Sequence, residues 1–461
     1  MIASMEPRTL QYIAKACAGE QLTGAAETLA QRVCTDSRAV RSGDVFFALA
    51  GDKFDGHEFL KEVMGKDAAA VVVNRQRLPA PAGSSAVIAV EDTRQALARF
   101  AAEYRHDFEV PTVAVGGSNG KTTTKEIIAS VLRQKLSTLW SEASFNNDIG
   151  VPLTLLRLEP HHEAAVFEVG TNHPGELAPL VAMIQPQFGV ITSIGREHLE
   201  FFGDVDGVAQ EEGWLAELLP SFGTLFINGD TTYAESIAQR CRGAVVRVGF
   251  ESENDWCVTA TQLDQRGVTF SVLAPRPEFS GEYRINLLGR HQAINAALAL
   301  AVGAELDLSA SQIRHGLASC QPPKMRMQVL ERNGVCILND AYNANADSML
   351  AALQTLKEFP CTGRRIAVLG DMAELGEHSE VAHIEIGRKA AEFGMDYLVT
   401  VGAMGSLTAR AARDAGMLNV TECRDVTDAV ATVKSMAQQG DVILLKASRV
   451  TGLERVSEGL G

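Results

Sequence analysis

The chain has 461 residues, of which 46% are apolar and 21% charged, and its formal net charge is −15. A chain this long exceeds one core and predicts about three domains. The negative charge argues against a nucleic-acid surface, which needs clustered Lys and Arg. The eight cysteines include no C-x-x-C pair, which is typical of reduced core residues in a cytoplasmic protein. No signal peptide or membrane insertion is expected, because no basic region precedes an apolar run and no uncharged apolar run reaches bilayer-spanning length.

Residues 1–108 predict a small α/β domain. Strand-like runs occupy Asp44–Leu49, Ala69–Val73 and Ala86–Val90, and a helical stretch covers Asp92–Tyr104. Residues 106–111 break the pattern and end in Pro111, which disfavours helix in the residue before it. We therefore place the first domain boundary there.

A glycine-rich stretch from Val113 to Glu126 reads VAVGGSNGKTTTKE and begins the central region. An apolar β-forming run leads into it and a helix-forming stretch follows, which is the order of strand, loop and helix in a phosphate-binding loop. In such a loop Lys121 bridges the outer phosphates of a nucleoside triphosphate and the Thr122 hydroxyl binds Mg²⁺. Val115 stands where the full pattern has glycine, so the match is to the shorter G-x-x-G-K-T, and a glycine turn in an ordinary βα unit is the alternative. The loop residues expected to bind the nucleotide are Gly116, Gly117, Ser118, Asn119, Gly120, Lys121, Thr122 and Thr123.

The rest of residues 109–321 predicts a parallel sheet. Its strongly apolar runs suit strands covered on both faces, and they are Ala164–Val169, Gly189–Ile194 and Thr224–Asn228. Alternation between Trp256 and Leu288, around the turn Asp264–Gly267, predicts a β-hairpin. His291–Leu306 reads as a buried, Ala-rich helix.

The Pro-Pro pair in Gln321–Lys324 marks the second boundary. Beyond it strand-like runs alternate with helical stretches, which indicates a doubly wound, Rossmann-like domain over residues 322–461. The predicted strands are Val335–Asn339, Arg365–Leu369, Tyr397–Val401 and Val442–Lys446. The fold class is therefore three α/β domains, with a P-loop ATPase-like parallel sheet and a small hairpin region in the middle one.

Polar residues follow apolar strands at several points. Glu168 and His198 do so in the central domain, and because ligands bind off the carboxyl ends of parallel strands, we expect both near the phosphates, with Glu168 sharing Mg²⁺ with Thr122. A surface salt bridge for Glu168 and a structural role for His198 are the alternatives. The spacing of Asn146 and Asn147 favours plain turn chemistry.

A similar polar loop, Asp340–Asn345, precedes a helix in the third domain. Its position after a strand suits ligand contact. A capping loop, with Asp347 or Ser348 capping the helix, explains the pattern nearly as well.

Motifs in all three predicted domains resemble those of the Mur ligases, ATP-dependent amide-forming enzymes of peptidoglycan precursor synthesis. In the first domain Asp36-Ser37-Arg38 and the stretch Lys53–His57 resemble the segment that holds a uridine nucleotide. The central and C-terminal motifs, all in family order, are GGSNGKTTTKE, SFNNDIGVPLTLL, FEVGTNHPGEL, IGREHLEFFGD, LLGRHQAINAALA, LNDAYNANADSMLAAL, VLGDMAELGEHS and KASRVTGLERV.

The resemblance implies roles for individual residues. It implies that residues 1–108 bind the UDP substrate and that residues 109–321 bind ATP. The residues implied in catalysis are Lys121, Glu168, His198 and Glu212, and those implied in binding Mg²⁺ are Thr122, Glu168, His198 and Glu212. Beyond the loop, the residues implied in binding ATP are Asn295, Arg326 and Asp340. The residues implied in binding the other substrates are Ser37, Arg38, His57, Asn146, Asn147, Asn343 and Asn345.

Three positions depart from the family pattern. Ala346 stands where the family usually has proline, and Gln292 replaces the usual asparagine after His291. Glu212 aligns with a lysine that many Mur ligases carbamylate, and its carboxylate supplies the negative charge without modification. The alternative is that Glu211 and Glu212 are both solvated charges on a helix face.

The activity implied by the resemblance is the ATP-dependent joining of D-alanyl-D-alanine to UDP-N-acetylmuramoyl-tripeptide through an acyl phosphate, with ATP and Mg²⁺ as cofactors, by a monomer. The sister ligase that adds the third amino acid carries an Asp-Asn-Pro-Arg motif, which does not occur here. A folylpolyglutamate synthase-like ligase and a nucleotide-switch protein are further alternatives. Lysine and meso-diaminopimelate both stay open as the third residue of the peptide.

Overall fold

The computed structural model describes residues 1–51, 54–80 and 84–460. Three sheets covered by helices follow one another along the chain, which confirms the predicted class of three α/β domains. Within the described ranges no helix combines the length and apolarity needed to cross a bilayer.

The first sheet has six strands in the order β1-β3-β4-β5-β6-β2. Strands β3 to β6 are parallel, whereas β1 and β2 pair antiparallel at the two edges. The elements are β1 (Ile2–Thr9), α1 (Leu10–Ala16), β2 (Glu20–Gln21), β3 (Leu29–Cys34), β4 (Val45–Phe47), α2 (Leu60–Met64), β5 (Ala70–Asn74), β6 (Ala86–Val90) and α3 (Thr93–Arg105).

The second sheet has nine strands in the order β15-β14-β13-β12-β11-β10-β7-β9-β8. Its elements are β7 (Thr112–Gly116), α4 (Lys121–Leu132), β8 (Thr138–Trp140), α5 (Gly150–Leu155), β9 (Ala164–Glu168), α6 (Leu177–Ile184), β10 (Phe188–Ile191), α7 (Leu199–Phe202), α8 (Val205–Glu212), α9 (Trp214–Glu217), β11 (Thr224–Asn228), α10 (Ala234–Ala238), β12 (Ala244–Gly249), β13 (Trp256–Asp264), β14 (Gly267–Leu273), β15 (Gly281–Ile285), α11 (His291–Glu305) and α12 (Ala310–Ser319). The predicted hairpin is β13 and β14, and it continues the parallel sheet because β13 pairs with β12.

The third sheet has six strands in the order β16-β17-β21-β18-β19-β20, all parallel except the edge strand β16. Its elements are β16 (Gln328–Arg332), β17 (Val335–Asn339), α13 (Ala346–Glu358), β18 (Arg365–Gly370), α14 (Ser379–Glu392), β19 (Tyr397–Val401), α15 (Gly405–Asp414), β20 (Val420–Cys423), α16 (Val426–Met436), β21 (Val442–Lys446) and α17 (Arg455–Gly459). This is the doubly wound arrangement that the sequence predicts.

The first two sheets share an apolar cluster, whereas the clusters of the third domain consist mainly of its own residues. A continuous buried cluster runs from β1 and α3 through α5 and α6 into β11, and the Tyr104 hydroxyl donates to the Leu158 carbonyl at 2.7 Å. The third domain packs one cluster on each face of its sheet, and one of these clusters also includes Leu288 and contacts Leu263 of the central domain. The first two domains therefore form one body, and the third is attached through this small apolar contact and the polar contacts described below.

Candidate active site

The loop between β7 and α4 forms the floor of the candidate site. Gly117 and Gly120 have φ angles of +108° and +89°, in the left-handed region that favours glycine. A Cβ on Gly117 would lie 2.6 Å from Thr192 Oγ1, so close packing also requires glycine there. Because α4 begins at Lys121, the loop leads into a helix N-terminus, where anions bind favourably.

Lys121 is held inside the loop by three acceptors. Its Nζ donates to the carbonyls of Gly117 and Ser118 and lies 3.2 Å from Glu197 Oε2. Burial lowers the pKa of Lys121, but the nearby carboxylates, Glu197 foremost, outweigh burial and raise it. The ammonium group is therefore kept charged.

Glu212 lies fully buried at the end of α8 against the same loop. Its Oε2 accepts the Gly117 N–H at 2.7 Å, and its Oε1 has no partner among the described residues. Burial raises the pKa of Glu212 to about 7. Glu211 is also buried, and it accepts the N–H groups of Gly175 and Leu177 at 2.9 and 2.8 Å. The alternative of two solvated helix-face charges is therefore wrong.

Glu168 ends β9 as a buried carboxylate. Its Oε1 accepts from Asn146 Nδ2 at 2.9 Å, while no described residue bonds its Oε2. Because the residue is 1% exposed, the alternative of a surface salt bridge is wrong. Nearby, the Thr122 hydroxyl lies 3.2 Å from the Ser144 hydroxyl. Unlike Asn146, Asn147 bonds to the main chain: its Oδ1 accepts the N–H groups of Ile149 and Gly150 and stabilises the turn before α5.

His198 connects the central domain to the third. Its Nδ1 lies 2.6 Å from Glu374 Oε2, but the two groups are not aligned as a hydrogen bond. Contact with His198 lowers the pKa of Glu374. Both residues have φ angles in the left-handed region, +49° and +61°, which is uncommon outside glycine and typical of functional sites.

Two adjoining cavities meet at the loop. A cavity of about 320 Å³ is bordered by Asn295 and Gln292 of α11, whose side chains bond each other at 2.9 Å. Asn295 also lies against Gly120, 3.1 Å from the place of a Cβ. A second cavity of about 270 Å³ contains Glu168 and His198. The residues lining both cavities are Asn119, Gly120, Arg326, Ser348 and Lys446.

The third domain reaches the loop through Arg326 and Asn345. Arg326 Nη2 donates to Thr122 Oγ1 at 3.2 Å, and its guanidinium lies 4.1 Å from the Tyr342 ring centre. Asn345 Nδ2 donates to Asn119 Oδ1 at 3.0 Å. The loop also caps α13, but the N-cap is Asn345 and not Asp347 or Ser348, and Ser348 completes the capping box by accepting the Asn345 N–H.

Asp340 and Lys446 support this contact from within the third domain. Lys446 Nζ lies 2.6 Å from Asp340 Oδ2 and donates to the Asn343 carbonyl at 3.1 Å. Asp340 Oδ1 accepts the Met327 N–H at 3.0 Å. Asn343 itself is exposed and borders the cavity that contains Glu168.

The candidate residues of the first domain line neither cavity. Arg38 is exposed and paired with Asp36 at 2.8 Å, whereas Ser37 is buried and its carbonyl accepts from Lys66. Both ring nitrogens of His57 are bonded within the first domain: Nδ1 lies 2.7 Å from Asp55 Oδ1, and Nε2 accepts the Asn74 N–H at 3.0 Å. The Lys53 position lies outside the described residues.

Sequence reasoning missed Arg196, Glu197 and Lys446. Each lies inside a quoted motif, IGREHLEFFGD or KASRVTGLERV. Their partners are in other parts of the chain, so only the fold shows that Glu197 meets Lys121 and that Lys446 meets Asp340.

Three family models match the chain in order. They are "Mur ligase family, catalytic domain" over residues 30–105, "Mur ligase middle domain" over 115–303 and "Mur ligase, glutamate ligase domain" over 325–449. The UDP-N-acetylmuramoyl-tripeptide–D-alanyl-D-alanine ligase of Bacillus subtilis is 33% identical over 459 residues, covering 99% of each chain.

Solved structures agree with these matches. MurF from Acinetobacter baumannii has a TM-score of 0.90 at 30% identity, covering 99% of each chain. MurF ligase from Thermotoga maritima in complex with ADP has a TM-score of 0.81 at 28% identity, covering 93% of this chain and 96% of that one. A folylpolyglutamate synthase and a diaminopimelate-adding ligase are only 18% and 15% identical and share the fold alone.

Proposed function

The chain belongs to the Mur ligase family, and from this premise we propose that it joins D-alanyl-D-alanine to UDP-N-acetylmuramoyl-tripeptide at the expense of ATP, in peptidoglycan precursor synthesis. One observation carries the assignment of the site: the Lys121 loop and the third-domain loop that contains Asn343 and Asn345 border the same cavity. A phosphoryl donor and an amine held there would meet at one point.

Phosphate release tests the activity. We expect release only when ATP, the UDP-tripeptide and D-alanyl-D-alanine are all present, because the amine must displace phosphate from an activated carboxyl group. Release without the dipeptide would point to a switch protein or a plain ATPase. Release with a single amino acid and UDP-dipeptide would point to the sister ligase.

The chemistry requires an activated carboxyl group, because a carboxylate does not react with an amine at neutral pH. The terminal carboxylate of the tripeptide first takes the γ-phosphoryl group of ATP, which yields an acyl phosphate and ADP. The amine then attacks the acyl carbon, phosphate leaves, and the nitrogen loses a proton. In this proposal Lys121 and the loop N–H groups bind the phosphates, Asn295 contacts the adenine, and Arg326 and Asp340 close on the nucleotide.

Mg²⁺ fits the carboxylates of this site. Glu168 Oε2 and Glu212 Oε1 are buried oxygens that no described residue bonds, and oxygen is the ligand atom that Mg²⁺ prefers. Across the described chain no three His, Cys, Asp or Glu side chains lie close enough together to hold a metal alone, and Glu212 lines neither cavity. We propose Thr122, Glu168, His198 and Glu212 as the protein side of the site, where the ion would neutralise phosphate charge.

The first domain, residues 1–108, is proposed to bind the UDP end of the substrate through Ser37, Arg38 and the segment around His57. Asn146 and Asn147 are proposed beside its peptide, and Asn343 and Asn345 beside the dipeptide. Residues 109–321 then form the ATP-binding domain and residues 322–461 the closing domain. We further propose that the enzyme is cytoplasmic and monomeric. Light scattering of the purified protein would check that it is a monomer.

Replacing Ser37 and Arg38 together with alanine is expected to weaken UDP-tripeptide binding about tenfold, because Arg38 is an exposed guanidinium suited to a diphosphate. ATP affinity should stay unchanged, because neither residue lines the cavities beside Lys121. Calorimetry with each ligand measures both effects. Arg41→Ala, an exposed arginine in the same segment, is the control, and weakened ATP binding with intact UDP-tripeptide binding would contradict the domain roles.

A further inference from the structure

Arg196, between β10 and His198, bridges two domains through two carboxylates. Its Nε and Nη2 donate to Asp347 Oδ1 at 2.8 and 2.7 Å, and its main-chain N–H donates to Asp347 Oδ2 at 2.7 Å. Its Nη1 donates to Glu385 Oε2 of α14 at 2.6 Å. One residue of the central domain therefore binds two helices of the third domain.

Asp347 lies in the first turn of α13, directly beside the loop proposed to receive the amine. The N-cap of this helix, Asn345, contacts Asn119 of the phosphate-binding loop. Asp347 also packs against Gly195, where a Cβ would lie 2.4 Å from its Oδ2. The start of α13 is thus fixed to the central domain on two sides, by Arg196 and by Asn119.

We propose that Arg196 is a positioning residue for the incoming dipeptide: by binding Asp347 and Glu385, it holds the loop of Asn343 and Asn345 over the phosphate-binding loop. The inference rests on the proposed function, because that function places the amine beside these asparagines. Arg196 need not touch the substrate in this arrangement. It determines where the third-domain side of the site stands relative to the acyl phosphate.

The geometry distinguishes this contact from an ordinary surface ion pair. Exposed pairs contribute little because solvent screens them and two long side chains lose freedom. Here one guanidinium, with 31% of its side chain exposed, engages two carboxylates, and a main-chain N–H adds a third bond to Asp347. Without Arg196, the Asp347 carboxylate bordering the nucleotide cavity would lose its counter-charge.

Steady-state kinetics of Arg196→Ala, Asp347→Asn and the double variant test the inference. We expect the KM for D-alanyl-D-alanine to rise about tenfold in each single variant, as about 1.4 kcal/mol of lost positioning would give. The double variant should be no worse than Arg196→Ala alone, because that variant already removes the contact with Asp347. Arg196→Lys should recover part of the loss, since an ammonium group can still pair with one carboxylate.

Three further measurements exclude a merely structural role. The KM for UDP-tripeptide and the dissociation constant for ADP should change less than about twofold, and small-angle scattering with ADP should show a larger radius of gyration in Arg196→Ala than in the wild type. Arg424→Ala is the matched control, because Arg424 pairs with Asp428 inside the third domain only. We expect this variant to behave as the wild type.

The outcomes separate the two proposals. Wild-type protein without dipeptide-dependent phosphate release would overturn the proposed function, and with it the substrate named here. An active wild type whose Arg196 variants keep the dipeptide KM, or raise all three constants equally, would overturn the positioning role alone. Strictly additive losses in the double variant would also overturn it.

Discussion

Lys121→Ala is expected to reduce ligation by roughly a thousandfold or more. The side chain projects from the first residue of α4, and among the described residues its Nζ bonds to Gly117, Ser118 and Glu197. When a triphosphate binds, the same ammonium group would exchange these acceptors for phosphate oxygens. Removing it leaves the developing charge of phosphoryl transfer without the cation that the loop supplies.

The fold should survive this change, because Lys121 contributes charge to the loop and not apolar packing. Loss of the lysine leaves Glu197 buried without its ion-pair partner, so we expect that carboxyl group to take up a proton. Melting temperature, ADP binding and phosphate release together check the prediction. Lys135→Ala is the control, since that exposed lysine bonds to the Asp307 carbonyl, away from the loop. Normal turnover in Lys121→Ala would refute the loop assignment.

Glu212→Gln is expected to lower turnover about a hundredfold, with partial recovery at high Mg²⁺. Glutamine keeps the acceptor for the Gly117 N–H but removes the charge proposed to face the cation. Because glutamate needs no carbamylation, activity of the wild type should also not respond to added bicarbonate. A variant with normal turnover and normal Mg²⁺ dependence would defeat this assignment.

In metal-free buffer, Glu212→Gln should make the protein more stable although it lowers turnover. Burial raises the pKa of Glu212 from 4.5 to about 7, so the folded state holds this proton more tightly than the unfolded state does. The cost of burying the carboxylate is absent below pH 4.5, grows between 4.5 and 7, and is complete above that. We therefore expect Glu212→Gln to raise the free energy of unfolding by about 1–3 kcal/mol at pH 8 and to leave it unchanged at pH 4.

Glu211→Gln provides the contrast for this measurement. Glu211 accepts two main-chain N–H groups at the start of α6, and an amide offers only one acceptor oxygen. Its substitution should therefore destabilise the protein by about 1–2 kcal/mol. Metal dependence should stay normal, because both Glu211 oxygens face the main chain.

The sequence predicts the parts of this protein that depend on local patterns. Continuous apolar runs identify buried strands such as β9, and the glycine spacing identifies the loop before Lys121. The same approach misses β1 and β12, because their residues alternate between buried and exposed or lie only half-buried. A search for apolar runs passes over such strands.

The candidate site is predictable only as far as motifs extend. The resemblance supplies Glu168 and Asn295, but it does not show that Glu197 binds Lys121 or that Arg196 binds α13, since these partners are 76 and 151 residues apart. His57 shows the converse limit. Its motif suggests ligand contact, whereas the fold already occupies both ring nitrogens, and its role at the substrate stays a prediction.

The core shared by the first two domains has a consequence for substrate choice. Because one apolar cluster joins them, the distance from the proposed uridine site to the phosphate-binding loop does not depend on the position of the third domain. A substrate anchored by its nucleotide then brings its terminal carboxylate to the γ-phosphate only if its peptide has the matching length. If the first domain binds the uridine end as proposed, we expect the two-domain body to select peptides by length and not by contact with each side chain.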